Sequence, residues 1–110
     1  MYDGEWVDNK HEGIGRFVHI NGECYEGEWF NDKMNGKGVY KNNNGSVYTG
    51  DWVEDTQHGF GVEEWDDGAK YEGEFVNGVK HGQGTFTFSD GNVYNGKFKD
   101  NNINGTGIFL

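Results

Sequence analysis

Metal binding or catalysis would need suitable side chains brought close together, and the histidines of this sequence are not spaced for that. His58 and His81 occupy equivalent positions in successive copies of a repeated unit. If each copy adds two strands to a sheet, the two imidazoles lie about 10 Å apart. One metal ion cannot bind both directly, because metal–nitrogen bonds are about 2 Å long. His11 and His19 add no ligand spacing, so the sequence predicts no metal site.

The acidic residues could suggest paired catalytic carboxylates, but they recur from unit to unit. A repeated pattern predicts a solvated sheet face that also discourages edge-to-edge association. The residues concerned are Asp3, Glu5, Glu26, Glu28, Asp51, Glu72 and Glu74.

Nucleophile and cofactor patterns are equally weak. Gly13-Ile14-Gly15 and its copies lack the third glycine and the following helix of a dinucleotide-binding loop. Ser46, Ser89 and Cys24 have no base in phase with them. The sequence therefore predicts neither an enzyme active site nor a cofactor.

The elements that would position any functional residue follow a strict repeat of 23 residues. Each unit opens on a tyrosine, has a glycine two residues later, and has a ring four residues later. The tyrosines are Tyr2, Tyr25, Tyr48, Tyr71 and Tyr94, and the rings are Trp6, Trp29, Trp52, Phe75 and Phe98. Of the 20 glycines only Gly78 is out of phase. The predicted units are residues 2–24, 25–47, 48–70, 71–93 and 94–110, and such an array distributes its chemistry along a surface.

Composition predicts a thin structure. Hydrophobic residues make up 33% of the 110 residues, about half of them are aromatic, and Leu110 is the only leucine. This composition argues against a large aliphatic core. Rings at fixed positions argue against disorder, so we expect neighbouring repeats to stabilise one another.

Each unit reads as a β-hairpin. Tyr25, Gly27 and Trp29 alternate with acids, which places rings on one face of a strand. Residues 31–35 predict a five-residue turn, which would put Trp29 opposite Gly36 or Gly38 and Tyr40 near Gly27. Two explanations of the paired glycines stay open: they make room for rings, or they mark bulges and bends.

The connection between units decides whether all rings share a face. A two-residue turn at Asn44-Gly45 would pair Tyr48 with Lys41 and send successive ring rows to opposite faces. A three-residue loop with Gly45 in the left-handed conformation pairs Tyr48 with Tyr40. We predict the second arrangement, and hence an all-β fold. It is an elongated, single-layer antiparallel meander of stacked hairpins with nine or ten strands, roughly 45 Å long.

The net charge of the chain limits the classes of partner that it could bind. The net charge of −10 argues against binding to nucleic acid and to anionic membranes. Cys24 is the only cysteine, and no apolar run reads as a signal peptide or membrane span, so we expect a cytoplasmic protein. Neither end reads as a polar capping repeat. We therefore expect a fragment of a longer array, or docking of a neighbouring array at the open edges.

Several segments resemble the MORN (membrane occupation and recognition nexus) repeat family. They are Tyr25-Glu26-Gly27-Glu28-Trp29, His81-Gly82-Gln83-Gly84-Thr85-Phe86 and Asp90-Gly91-Asn92-Val93-Tyr94. The resemblance covers the whole chain. It implies a single-layer sheet with a shallow ring-lined groove that acts as a protein-binding scaffold, often in cytoskeletal or ciliary assemblies. It also leaves open an accessory region of a larger enzyme, such as a phosphatidylinositol phosphate kinase or a lysine methyltransferase.

The resemblance and the rings together predict a protein-binding face for an amphipathic helix or extended peptide carrying basic residues. The predicted contact residues are Tyr25, Trp29, Tyr40, Tyr48, Trp52, Trp65, Tyr71, Phe75, Phe86 and Phe88. The alternative is that these rings are the core of the fold, although we expect a single layer to leave part of each ring uncovered. Glu63 departs from the pattern, since it stands where other units have an aromatic ring, and Trp65 follows it. Trp65 is either repacked core or a contact residue.

Overall fold

The chain forms one antiparallel sheet with its strands in chain order. The computed structural model describes residues 1–104 and the backbone of residues 108 and 109. The strands are β1 (Tyr2–Val7), β2 (Lys10–Val18), β3 (Cys24–Phe30), β4 (Lys33–Lys41), β5 (Val47–Val53), β6 (Thr56–Glu64), β7 (Lys70–Val76), β8 (Val79–Thr87), β9 (Val93–Lys99), β10 (Asn102–Ile103) and β11 (Ile108–Phe109). Strands β10 and β11 both pair with β9, so eleven strands fill ten positions. The predicted all-β meander is confirmed, with a long dimension of 49 Å.

The three-residue connection between repeats is confirmed. The Asn42 N–H donates to Ser46 O at 2.8 Å, and the Gly45 N–H donates to Asn42 O at 3.2 Å. Gly45 has a φ of +94°, a left-handed conformation that glycine adopts without steric cost. Tyr40 then pairs with Tyr48 across β4 and β5, which is the pairing predicted for a three-residue loop.

The hairpin turn differs from the sequence prediction. Asn31 and Asp32 both have positive φ, 54° and 67°, and Phe30 pairs directly with Lys33. This is a two-residue turn of the I′ kind, whose twist matches that of its flanking strands. The prediction of a five-residue loop over 31–35 was wrong, because Asn and Asp tolerate the left-handed region and let the chain reverse within two residues.

Residues 35–37, which the shorter turn leaves within strand β4, form a bulge. Between the pairs Gly27–Gly38 and Trp29–Met34, strand β3 has one residue and β4 has three. Trp29 therefore faces Met34 within its own hairpin and not a glycine, and Tyr40 faces Tyr25, so both predicted pairings were wrong. The tryptophan does meet a glycine of the preceding repeat, since Gly13 pairs with Trp29.

The two glycines of each pair have different roles, so both explanations hold. Gly36 lies in the bulge with a φ of +101°. Gly38 lies under the phenol ring of Tyr25, and a Cβ there would overlap that ring. The same ring-on-glycine contact recurs at Gly15, Gly61 and Gly84.

The core is a continuous row of edge-to-face ring contacts. The ring centroid of Tyr25 lies 5.1 Å from that of Trp29 in its own repeat and 5.4 Å from that of Trp52 in the next. Tyr48 repeats the pattern at 5.2 Å to Trp52 and 5.1 Å to Phe75. Such pairs contribute about 0.5–1.5 kcal/mol each beyond the burial of their area.

Each repeat-opening tyrosine also donates a hydrogen bond from its hydroxyl to a backbone carbonyl beside the bulge. The hydroxyl of Tyr25 donates to the carbonyl of Glu28 at 2.8 Å, and that of Tyr48 donates to the carbonyl of Asp51 at 2.8 Å. The equivalent bonds from Tyr2, Tyr71 and Tyr94 are 2.8, 2.9 and 3.2 Å long. Each hydroxyl therefore gives a carbonyl of the irregular ladder a hydrogen-bond donor while its ring fills the core.

Neighbouring hairpins are also joined through their turns. The second turn residue of one hairpin accepts a hydrogen bond from a backbone N–H of the hairpin before it. The Asp55 carboxylate accepts from the Met34 N–H at 2.7 Å, and Asp32 accepts from the His11 N–H at 2.6 Å. In the fourth repeat this position is Gly78, the glycine that is out of phase, which keeps a backbone bond to Gln57 O at 2.9 Å but has no side chain to accept from Gln57.

We expect Gly78→Asn to stabilise the protein by about 0.5–1 kcal/mol, since the new amide oxygen can accept from the Gln57 N–H. Gly78 has a φ of +84°, which Asn tolerates better than most residues. Urea unfolding measures the change. Gly91→Asn is the matched control, because Gly91 has a similar φ of +93° and no described atom within 4 Å of its Cβ position. An equal change in both variants would contradict the turn-bond explanation.

Candidate protein-binding face

One face of the sheet holds the tyrosines and rings that recur in every repeat. The two-residue alternation of each strand and the pairing between strands determine which other side chains lie on that face. Beside the core row lies an outer row on the even strands, and a third row lies at the hairpin ends. The outer row contains Phe17, Tyr40, Glu63 and Phe86, followed two residues on by His19, Asn42, Trp65 and Phe88; the hairpin row contains His11, Met34, Gln57, Lys80 and Ile103. We call the surface formed by these two rows the ring groove.

Six of the ten predicted contact residues are core. Tyr25, Tyr48 and Tyr71 are fully buried, and the relative exposures of Trp29, Trp52 and Phe75 are 7%, 6% and 2%. The expectation that a single layer leaves such rings partly uncovered was wrong for the tyrosines. The glycine backbone covers one face of each, and Trp or Phe side chains from two repeats cover the rest.

Neighbouring repeats produce this burial. Trp29 packs against Tyr2 of the preceding repeat at 5.3 Å and donates its indole N–H to Gly15 O at 3.0 Å. Trp6, in the first repeat, is 55% exposed. The difference indicates that each repeat completes the core of the next.

The remaining four predicted contact residues lie outside the core and are partly exposed. Tyr40, Trp65, Phe86 and Phe88 are half-buried and pack against the core. Tyr40 and Met34 lie where two depressions meet, one of about 380 Å³ over the first two repeats and one of about 310 Å³ towards the third. A third depression of about 270 Å³ lies between the fourth and fifth repeats.

Glu63 interrupts the ring row with a charge. It pairs with Tyr48 on one side and Tyr71 on the other. The ammonium of Lys80 lies 4.0 Å from its carboxylate, 5.1 Å from the centre of the Trp65 ring and 5.6 Å from that of Tyr71. Trp65 therefore packs on Phe86 and contacts the Lys80 ammonium, while part of its surface stays accessible.

Burial works against both members of the pair. It raises the pKa of Glu63, with Lys80 opposing the shift, and it lowers the pKa of Lys80, with Glu63 opposing it. The side chains are only 17% and 13% exposed. A partly desolvated pair that is not in direct hydrogen-bond contact is a costly feature for a scaffold whose other repeats have rings here.

Lys80 was not among the residues predicted from the sequence. The sequence does contain a feature that could have identified it. Lys80 occupies the same position of the repeat as His11, Met34, Gln57 and Ile103, and the residue type at this position changes from repeat to repeat. The two-residue turn is what places this position on the ring face opposite the core ring, as in the Phe75–Lys80 pair.

Part of the acidic pattern has a structural role. The fourth residue of each of the first four units accepts a hydrogen bond from a backbone N–H of the bulge. The pairs are Glu5 with Ile14 at 2.6 Å, Glu28 with Lys37 at 2.5 Å, Asp51 with Phe60 at 3.2 Å and Glu74 with Gln83 at 2.6 Å. Their description as a solvated face alone was therefore incomplete, since they hold the bulge that the glycines allow.

The histidines have local roles in the sheet. The ring of His11 stacks on that of Tyr2, with centroids 3.7 Å apart, and His58 accepts the Asn77 N–H at 3.4 Å. Within residues 1–104 and the backbone of 108 and 109, no group of three His, Cys, Asp or Glu side chains is placed to hold a metal ion. The part of the chain that the structure describes contains no helix that could cross a membrane.

Comparison with known proteins agrees with the geometry. The family model described as the MORN repeat matches residues 2–24, 25–47, 48–70, 71–93 and 94–110. No curated protein matches the chain significantly.

Proposed function

Since this chain belongs to the MORN repeat family, whose members are generally interaction scaffolds for proteins or membranes, we propose that it is a non-catalytic scaffold that binds a protein through its ring groove. One observation supports this most directly. Tyr40, Phe86 and Phe88 line open depressions, and Trp65 lies partly exposed on the same face of the sheet. Partly exposed aromatic side chains of this kind are typical of binding surfaces.

Charge favours a basic partner. The Asp32 and Asp55 carboxylates line the groove at the hairpin ends, and Glu23 accepts a hydrogen bond from the Tyr40 hydroxyl at its other border. The chain carries a net charge of −10. We propose an amphipathic helix or extended peptide with an apolar stripe and basic residues, while anionic membranes and nucleic acids are disfavoured by the same charge. Cytoplasmic location in a cytoskeletal or ciliary assembly is the setting that the family suggests.

The proposal predicts that Trp65→Ala combined with Phe88→Ala weakens binding of a defined probe at least tenfold, about 1.4 kcal/mol. The probe is a synthetic amphipathic peptide of leucine and lysine, and fluorescence anisotropy gives its Kd. Both rings are accessible at the groove, so their loss removes contact area while the core row remains in place.

Phe30→Ser is the matched control. Phe30 is 60% exposed on the opposite face of the sheet, so its loss should leave the Kd unchanged. Unchanged affinity in the double variant, or an equal loss in the control, would contradict groove binding. Co-sedimentation of the wild type with anionic vesicles would instead indicate a membrane surface as the partner.

A further inference from the structure

Charge is distributed unevenly along the array. Residues 1–70 contain fifteen acidic and six basic residues, whereas residues 71–110 contain four acidic and three basic residues. The net negative charge is therefore concentrated in the first three repeats. If the ring groove binds a protein segment, as proposed above, the two halves of that groove offer different electrostatic environments.

The first half of the groove is acidic and rigid. The Asp32 and Asp55 carboxylates both line the depression that contains Phe17, Trp29 and Tyr40. Each carboxylate is fixed by the N–H that it accepts from the neighbouring hairpin, at 2.6 and 2.7 Å. Carboxylates held in this way attract a cation without a further ordering cost.

The second half of the groove contains the largely buried cation Lys80. Lys80 lines the depression between the fourth and fifth repeats together with Phe86, Phe88, Phe98 and Ile103. The hairpin-turn positions filled by Asp32 and Asp55 in earlier repeats are neutral here, Gly78 and Asn101.

Lys80 has hydrogen-bonding capacity left for a ligand. Its ammonium carries three donors, and its distance of 4.0 Å to the Glu63 carboxylate exceeds that of a direct hydrogen bond. The Trp65 and Tyr71 rings hold it in place at 5.1 and 5.6 Å. An incoming carboxylate would therefore share a positioned ammonium with Glu63 beside the apolar side chains of this depression, where charge interactions are less screened than in water.

We propose that the groove binds its partner segment in one orientation, with basic residues over Asp32 and Asp55 and a carboxylate paired with Lys80. The reverse orientation places the carboxylate against two fixed carboxylates and a cation against Lys80. Like charges brought together at an interface suppress the wrong arrangement. A second copy of this chain is disfavoured as the occupant, because each copy carries a net charge of −10.

The test uses the full 110-residue chain and a synthetic amphipathic peptide with leucine on one face, lysines in one half and glutamates in the other. A nitroxide is attached to either end, and paramagnetic broadening of the protein's amide resonances locates that end. We expect a label at the lysine end to broaden resonances around Met34 and Tyr40. A label at the glutamate end should broaden those around Lys80 and Ile103. Equal broadening of both regions from either end, or the opposite pattern, overturns the proposed orientation.

Variants at Lys80 identify the cause. Lys80→Met introduces the residue that Met34 supplies at the equivalent position, and we expect about tenfold weaker binding of the peptide with separated charges. A peptide of leucine and lysine alone should lose no affinity. Lys80→Arg should retain the orientation, because it keeps the positive charge. Lys97→Met, at an exposed lysine of the opposite face, should have no effect.

The outcomes separate this inference from the proposed function. If both peptides bind the wild type and Lys80→Met changes neither affinity nor orientation, the orientation proposal is wrong and groove binding stands. If neither peptide binds, both proposals fail. Peptide-independent dimerisation that buries the groove, measured by sedimentation, would show that a second copy occupies it and would also overturn the inference.

Discussion

Gly61→Ala is expected to destabilise the protein by about 3 to 5 kcal/mol, the range seen when a large buried ring is lost from a core. The phenol ring of Tyr48 lies directly on Gly61, and a Cβ would overlap the ring itself. Tyr48 is fully buried and cannot move aside, since Trp52 and Phe75 hold it edge-on at 5.2 and 5.1 Å. Displacing it would disrupt contacts in two repeats and the hydroxyl bond to Asp51 O.

Chemical unfolding of the variant measures this loss, and Gly68→Asn is its matched control. No described atom lies within 4 Å of the Cβ position of Gly68, and its φ of +91° is tolerated by Asn. We expect the control to change stability by well under half as much. A loss below about 1 kcal/mol at Gly61 would mean that the tyrosine row can shift, and that glycine is not required beneath it.

The second large effect is alkaline unfolding. Burial raises the pKa of Tyr71 to about 12, and it raises those of Tyr25 and Tyr48 as well. An unfolded tyrosine titrates near 10, so between pH 10 and 12 the unfolded chain has lost protons that the folded chain keeps. The stability contributed by these buried tyrosines is therefore fully present below pH 10 and is lost as the pH rises towards their pKa in the folded state.

The size of the effect follows from the shift. Two pKa units at the fully buried Tyr71 correspond to about 2 to 3 kcal/mol. With several such tyrosines, the total is comparable with the whole stability of a typical domain, about 5–15 kcal/mol. We expect cooperative unfolding below pH 12, with phenolate absorbance and loss of the strand signal in circular dichroism changing together. In Tyr71→Phe the dependence of stability on pH should become shallower, whereas tyrosines that titrate near pH 10 in an intact sheet would contradict the prediction.

The separate roles of Gly36 and Gly38 could not be predicted from the sequence. Their phase with the rings predicted a structural role for both glycines, but two explanations stayed open. The choice depended on the hairpin turn, because a five-residue loop leaves no room for the bulge that Gly36 occupies. Asn31-Asp32 reversed the chain in two residues, and only that register showed which glycine lies under Tyr25.

The candidate site was only partly predictable for the same reason. The odd period of the tyrosines against the two-residue period of a strand predicted a ring-lined face correctly. Which rings remain accessible depends on how neighbouring repeats cover one another, and this placed Trp29 and Trp52 in the core while leaving Trp65 reachable. Lys80 could be assigned to the groove only from the two-residue turn, which determines which residues of β8 lie on the ring face.

The sequence by itself determined the repeat, the antiparallel meander and the common face of the rings, because these depend on local periodicity and on the left-handed loop glycines. The tertiary structure decided the division between core and contact surface. That division depends on contacts between residues 23 or more positions apart, such as Tyr25 with Trp52, and on the meeting of Glu63, Trp65 and Lys80 from adjacent hairpins. Burial and charge proximity are properties of the assembled sheet, so no single repeat could show them.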